Sequence, residues 1–320
     1  MHKKFLGLLT SRPAKGIFSA ALLFFILYKF GVGEILGNIL TADPLFFAAA
    51  VLVFIISGVI GAKQWGILLG FHGINLGFAG TVGRYFTGLF FNFVLPGFVG
   101  GDIIRIYQAS KASGKAVSAF SSTLSDRVIG LLVLVMFSLC GFLFLPSGPS
   151  MEVLPVAVLM FLLLGAFIGF FAVKPAGRFV NRVFGRFLPS EILLKMSGVY
   201  YEINLLTRAP KTLLAITVTS IFIQLTRIGV HFLCARAVGI ELGFMYFALF
   251  VPLMEIIASI PISLGGVGVR EMMGVILLSR VGVSQPVIVS YTILAYSAGF
   301  IGSLPGSIAF MMSIQREKKR

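Results

Sequence analysis

The chain has 320 residues, 58% hydrophobic and 12% charged, with a formal net charge of +15. At a mean hydropathy of +1.02 it cannot build a soluble domain with a polar shell, which places it among integral membrane proteins. The basic excess of a multi-span protein belongs beside the cytoplasmic leaflet, which sets nucleic-acid binding aside.

In chain order, a basic start and an apolar stretch resemble a signal peptide. No small-residue cleavage site follows, so residues 16–32 are expected to remain as a first helix. Apolar runs at 44–62, 128–145, 152–173, 212–235 and 286–312 complete six full crossings, each near the ~20 residues that span ~30 Å of hydrocarbon. Two further stretches, 79–101 and 244–269, end in Pro and Gly-Gly. Backbone groups left unpaired there cannot face lipid, so both are expected to be re-entrant helical hairpins. The expected fold class is an all-α polytopic membrane protein, with eight or more spans as the alternative, since 79–98 and 244–262 are long enough to cross. Cys140 and Cys234 lie inside apolar runs and read as packing residues, with no metal or cofactor site expected.

Charge tests the threading. The segment before the first run, the stretch between the second and third, the loop at 174–211 and the C-terminus together carry 21 of the 26 basic residues. Positive-inside then puts both termini in the cytoplasm of a cell-membrane protein, which six crossings satisfy. Within the central loop Arg178, Arg182 and Arg186 recur every four residues beside Phe179, Val183 and Phe187. That spacing predicts an amphipathic helix in the head-group layer, held by snorkelling or by anionic lipid head groups.

The segment PGFVGGDIIR (96–105) has a twin in PISLGGVGVR (261–270). Pro96, Gly100, Gly101 and Arg105 correspond to Pro261, Gly265, Gly266 and Arg270 at an offset of 165, and Pro44 to Pro210 at 166. Residues 44–147 and 210–312 therefore read as two repeats, and three crossings between their starts would invert one against the other. Inverted repeats with broken elements near the midplane belong to transporters. The glycines would allow sharp turns and close backbone approach, freeing tip amides to face a polar group. Alternatively, both motifs are packing kinks built on small residues.

Ionisable groups beside the breaks favour use over packing: Asp102 and Arg105 follow the first, Arg270 and Glu271 the second. Gln224, Arg227 and His231 share one face of the fifth crossing. Arg227 needs a partner or water, and Glu255 is the nearest counter-ion by topology, as a structural pair or in a substrate role. Asn92 would satisfy loop backbone. Asp126 and Arg127 would open the third crossing, where a carboxylate is often only a cap.

NFVLPGFVGGDIIRIY (92–107), SDRVIGLL (125–132), PISLGGVGVRE (261–271) and the Lys63-Gln64-Trp65 element resemble the lysylphosphatidylglycerol synthase transmembrane-region family, also called flippase-like integral membrane proteins. The resemblance implies a lipid translocase whose cargo is an anionic or aminoacylated phospholipid or a polyprenyl-phosphate-linked sugar. It also implies a functional set of Asn92, Pro96, Gly100, Gly101, Asp102, Arg105, Asp126, Arg127, Gly265, Gly266, Arg270 and Glu271. The 320 residues leave no room for the fused aminoacyltransferase of some relatives, so lysyl transfer is not expected. Phosphate would be met by tip N–H groups and by Arg105, Arg227 or Arg270.

Two other functions compete. A proton- or ion-coupled solute transporter could use Glu255, Glu271 and Asp102 as carriers. A membrane enzyme would need an activated base or a carboxylate cluster, but His2, His72 and His231 are isolated in sequence, and ASGK at 112–115 lacks the glycine of a phosphate-binding loop. No enzymatic activity is expected.

Overall fold

A computed structural model describes residues 24–26, 28–95, 100–144, 154–172, 190–259, 263 and 266–318. Pro96, Pro261, Gly265, Arg178, Arg182, Arg186 and most of the first expected crossing lie outside them. The helices are α1 (Val32–Leu40), α2 (Pro44–Phe71), α3 (Phe78–Val94), α4 (Gly100–Ser113), α5 (Ala116–Phe144), α6 (Leu154–Ala172), α7 (Ser190–Thr207), α8 (Pro210–Ala237), α9 (Phe244–Ala258), α10 (Val269–Leu278), α11 (Gln285–Ser303) and α12 (Pro305–Lys318). By length and composition, α2, α5, α8 and the α11–α12 segment Gln285–Ser313 can each cross a membrane. The 19-residue α6 is apolar throughout.

Local chemistry sets the bounds of α2 and α8. Each has proline at its first position, where the missing N–H has no helical partner anyway. At α2 the Asp43 carboxylate also accepts the Leu45 N–H at 2.8 Å. Just beyond each C-terminus a glycine takes a left-handed conformation, Gly73 at φ 72° and Gly239 at φ 79°. Gly77 and Gly243 then precede α3 and α9. All three pairs stand 166 residues apart, and α2 and α8 each have 28 residues.

These two long helices are antiparallel. The Asp43 N–H donates to the Ala237 carbonyl at 2.8 Å, the Ser57 hydroxyl to the Ile223 carbonyl at 3.4 Å, and Leu68 packs in one cluster with Ile216. Ser57 and Ile223 occupy the same place, the fourteenth, in their helices. That contact lies at the middle of both helices, so α2 and α8 cross at mid-length.

Two helical hairpins approach this crossing from opposite ends. In the first, α3 and α4 pair antiparallel, with Gly88 against Gly101 and Arg105. Its base closes beside the C-terminus of α2, where Lys115 Nζ donates to the Gly73 carbonyl at 3.0 Å. In the second, α9 and α10 pair through Glu255 with Arg270 and Met254 with Gly274. Its base lies at the other end of α2: Ala237 bonds to Asp43, and Ser290, early in α11, donates to the α1 carbonyl of Ile35 at 3.2 Å. Each hairpin also beds on a helix distant from it in sequence. Ser138 of α5 donates to the Leu249 carbonyl of α9 at 2.9 Å, and Thr87 of α3 to the Gly306 carbonyl of α12 at 3.2 Å.

The single crossing expected over 286–312 is divided at Leu304, because Pro305 lacks the N–H that would continue the ladder. On the side of the first base, Glu202 of α7 contacts His72 Nδ1 and accepts the Ser118 hydroxyl at 2.9 Å, tying the central segment to the ends of α2 and α5.

Close helix approach dictates a stability test. A Cβ at Gly101 would overlap the Gly88 carbonyl, and one at Gly306 the Phe86 carbonyl, whereas Gly37 has open space around it. Gly101→Ala and Gly306→Ala are each expected to cost about 1–3 kcal/mol through backbone displacement, lowering the melting temperature in detergent, while Gly37→Ala leaves it unchanged or raises it.

Candidate functional site

The tip of the first hairpin is held by Asn92, whose Oδ1 accepts the Gly101 N–H at 3.0 Å. One turn into α4 stands Arg105, buried to 3% exposure. Its Nε lies 2.9 Å from Asp102 Oδ1 and its Nη2 2.8 Å from Asp126 Oδ2. Its guanidinium carbon sits 5.3 Å from the Trp65 ring centre and 5.2 Å from that of Tyr85, within cation–π range. The other oxygen of Asp102 accepts from Arg127 Nε. The other oxygen of Asp126 accepts from Gln64 Nε2 at 2.9 Å, and Gln64 Oε1 accepts the Thr219 hydroxyl at 3.0 Å. A continuous polar chain thus runs from Arg127 through Asp102, Arg105, Asp126 and Gln64 into α8.

The second hairpin carries a smaller counterpart. Arg270, 4% exposed, forks onto Glu255 with its Nε at 2.7 Å and its Nη2 at 3.4 Å, and lies 5.5 Å over the Tyr296 ring. His231 Nε2 is 3.5 Å from Glu255, and its Nδ1 shares a 2.8 Å hydrogen bond with the Tyr291 hydroxyl. Glu271 turns back to accept the Gly268 N–H at 2.6 Å, closing the turn in which Gly266 and Gly268 have φ of 78° and 85°.

Between the tips lies a cavity of about 180 Å³, room for about half a dozen waters at liquid density. Leu89, Phe93, Leu131, Leu134 and Val251 give it apolar surface beside its charged side chains. Its charged lining comprises Arg105, Arg127, Arg227 and Arg270 against Asp102, Asp126 and Glu255, an excess of one cation. Arg227 reaches it from α8 with no hydrogen-bond or ion-pair partner among the described residues.

Several sequence-based assignments change here. Glu255 pairs with Arg270 and His231, not Arg227, because the antiparallel α9–α10 pairing brings residues 255 and 270 together. Asp126 and Arg127 do not open a helix: α5 begins at Ala116, so Asp126 is its eleventh residue and a buried partner of Arg105. The tip amides of Gly101 and Gly268 are bonded to Asn92 and Glu271, and so are not open to a ligand. Gly100 and Gly101 serve close approach, with Leu95 pressed against the first and Gly88 against the second. Asn92, Asp102, Arg105, Asp126, Arg127, Arg227, Glu255 and Arg270 meet around the cavity, while Glu271 stands behind it and Gly266 in the turn. Tyr85, Tyr296, Gln64 and Ser220 also line it. A glutamine within a 28-residue apolar helix was the available signal for Gln64; nothing in the sequence distinguishes the two tyrosines from packing aromatics.

Removing one member of a buried ion pair leaves its partner uncompensated, at about 3–5 kcal/mol. Arg105→Gln and Asp126→Asn are therefore expected to lower the melting temperature in detergent strongly, and Arg227→Gln to leave it nearly unchanged.

A family model described as the lysylphosphatidylglycerol synthase TM region matches residues 6–306. The chain is also similar to a UPF0104 membrane protein of Pyrococcus horikoshii, 24% identical over 318 aligned positions that cover 91% of this chain and 94% of the relative.

Proposed function

The chain belongs to the lysylphosphatidylglycerol synthase transmembrane-region family, and from that premise we propose that it carries an anionic lipid head group between the leaflets of the cell membrane without altering it covalently. The observation that carries this reading is Arg227: a guanidinium with no hydrogen-bond or ion-pair partner among the described residues, in a cavity of mixed apolar and charged lining between two opposed hairpins. A phosphate cannot cross hydrocarbon without polar partners, and a guanidinium offers it charge-assisted, forked hydrogen bonds. Arg105 and Arg270 are occupied by carboxylates; they hold the tips and set the local field. The apolar side chains of the lining admit the start of the acyl chains, whose remainder stays in the bilayer.

In this reading residues 44–147 and 210–312 form an inverted repeat, both hairpins are re-entrant, both termini are cytoplasmic, and access alternates as one half rocks about the α2–α8 crossing. The Glu255–His231–Tyr291 chain, reaching the same cavity, supports a second reading in which proton movement drives transport, of lipid or of a soluble anion.

Two measurements check these readings. In proteoliposomes with a fluorescent phosphatidylglycerol, the wild type is expected to expose inner-leaflet label to an external quencher and Arg227→Gln to slow this about tenfold or more. Wild-type speed in the variant rejects the assignment; transfer that needs a pH gradient, or uptake of a soluble anion instead, favours the second reading. With Cys140 and Cys234 replaced by alanine, single cysteines at Asn75 and Glu241, in the exposed base loops of the two hairpins, are expected to label from opposite faces of the membrane, Asn75 from the cytoplasm. Labelling from one face rejects the inverted arrangement.

A further inference from the structure

The α8 face that carries Arg227 also carries His231, one turn further on. The side chain of His231 is 10% exposed and lines the cavity. Both ring nitrogens have partners on other helices. Nδ1 shares the 2.8 Å hydrogen bond with the Tyr291 hydroxyl of α11, and Nε2 stands 3.5 Å from Glu255 Oε1 of α9. Arg270 Nε holds that same carboxylate oxygen at 2.7 Å.

These partners serve the ring in both of its charge states. In the neutral form Nε2–H faces the carboxylate and Nδ1 accepts from the phenol. In the charged form Nδ1–H donates to the phenol oxygen, which is possible because a hydroxyl both donates and accepts. A proton can therefore enter or leave without stripping either nitrogen of its partner, and imidazole is the side chain that exchanges one near neutral pH.

The ionisable groups around the ring come from several helices. Glu255 reaches it from α9, Tyr291 from α11, and Arg270 of α10 stands on the far side of Glu255, over Tyr296. On α8 itself the neighbours are Arg227 and Cys234. Asp126 and Arg127 of α5 are joined to Arg105 and Asp102 at the first hairpin, and α2 lends the lining only Phe54 and Gln64. With the imidazole neutral the charged lining has one cation in excess; with it charged the excess is two. Among apolar helices that second cation is costly until an anion enters. Residues four apart on a helix face have Cβ atoms about 5–6 Å from each other, so an anion on Arg227 lies within Coulomb reach of the imidazole. Each stabilises the other, and such coupling is reciprocal.

Resting on the reading that the cargo is anionic, and going beyond it by giving the proton a place, we propose that the cavity binds its anion together with one proton held by His231, with Glu255 and Tyr291 as positioning residues for the ring. The proton is a co-ligand. Affinity for the anion rises as pH falls through the titration of the imidazole, and anion binding draws a proton from water.

The test measures equilibrium binding of short-chain phosphatidylglycerol to the full-length protein in detergent at about pH 5.5 and about pH 8, a span in which imidazole changes charge and a phosphodiester does not. Wild type is expected to bind about tenfold more tightly at the lower pH, within the usual range of coupling between two sites. In weakly buffered solution at about pH 6.5, between those limits, it is expected to take up a fraction of a proton per lipid bound. His231→Gln keeps a hydrogen-bonding side chain that cannot charge. It is expected to bind at both pH values with the affinity of the wild type at the higher one, and to take up no proton; His231→Asn serves the same purpose where the glutamine variant fails to fold. His2 and His72 remain in both variants, so a pH effect of theirs would persist. Wild-type binding indifferent to pH, binding without proton uptake, or a tenfold pH effect that survives in the variants overturns the proposal. Dimethyl phosphate, a soluble phosphodiester, separates the proton site from the lipid reading. If its binding is pH-linked and no label moves between leaflets in proteoliposomes, the translocase reading falls and the proton site stands; if label moves and binding ignores pH, the proton site alone falls.

Discussion

When two antiparallel helices of equal length cross at their midpoints, whatever follows one in sequence emerges at the opposite end from whatever follows the other. That is the position of α2 and α8, joined where the Ser57 hydroxyl meets the Ile223 carbonyl. Each leads through a six-residue loop into a hairpin, so the hairpins start from opposite ends and run back toward the crossing. Neither α3 nor α9 needs to be unusual for this to happen. The cavity lies between the tips because the two long helices hold them there.

Charge at the tips obeys a separate constraint. Enclosed among apolar helices, a guanidinium is tolerated when carboxylates and ring faces replace the water it has lost. Arg105 receives two carboxylates and two aromatic rings, and Arg270 a forked carboxylate and one ring. The two arginines reach the same compensation by different means: the carboxylates come from α4 and α5 for Arg105 and from the hairpin partner α9 for Arg270. Arg105 and Arg270 thus have carboxylate partners, while Arg227 on α8 has no hydrogen-bond or ion-pair partner among the described residues. The Gly101 and Gly268 amides are paired with Asn92 and Glu271.

The glycines of the breaks then have distinct duties that their common spacing conceals. Gly101 is required by distance, since α3 and α4 approach so closely that a methyl group would overlap a backbone carbonyl. Gly266 and Gly268 are required by conformation, as both have positive φ in the turn ahead of α10. Gly101 thus belongs to a packing seam and Gly266 to a turn, although both precede an arginine by a few residues.

The sequence by itself determined what depends on local rules. Hydropathy set the long helices, because backbone polar groups in lipid must be satisfied within the helix. Pro44 with Gly73 and Pro210 with Gly239 set the bounds of α2 and α8, because proline and left-handed glycine act where they stand. The Pro-Gly-Gly-Arg spacing marked both breaks. Only the tertiary structure decided which charges meet: Glu255 faces Arg270 and not Arg227, Asp126 holds Arg105 instead of capping a helix, and Gln64 links α2 to α5 and α8. Ion pairing depends on distances of a few ångströms between residues far apart in the chain, which periodicity cannot supply. Arg227 was visible in the sequence as an arginine in an apolar run; that its counter-ion would be claimed elsewhere followed from the pairing of α9 with α10.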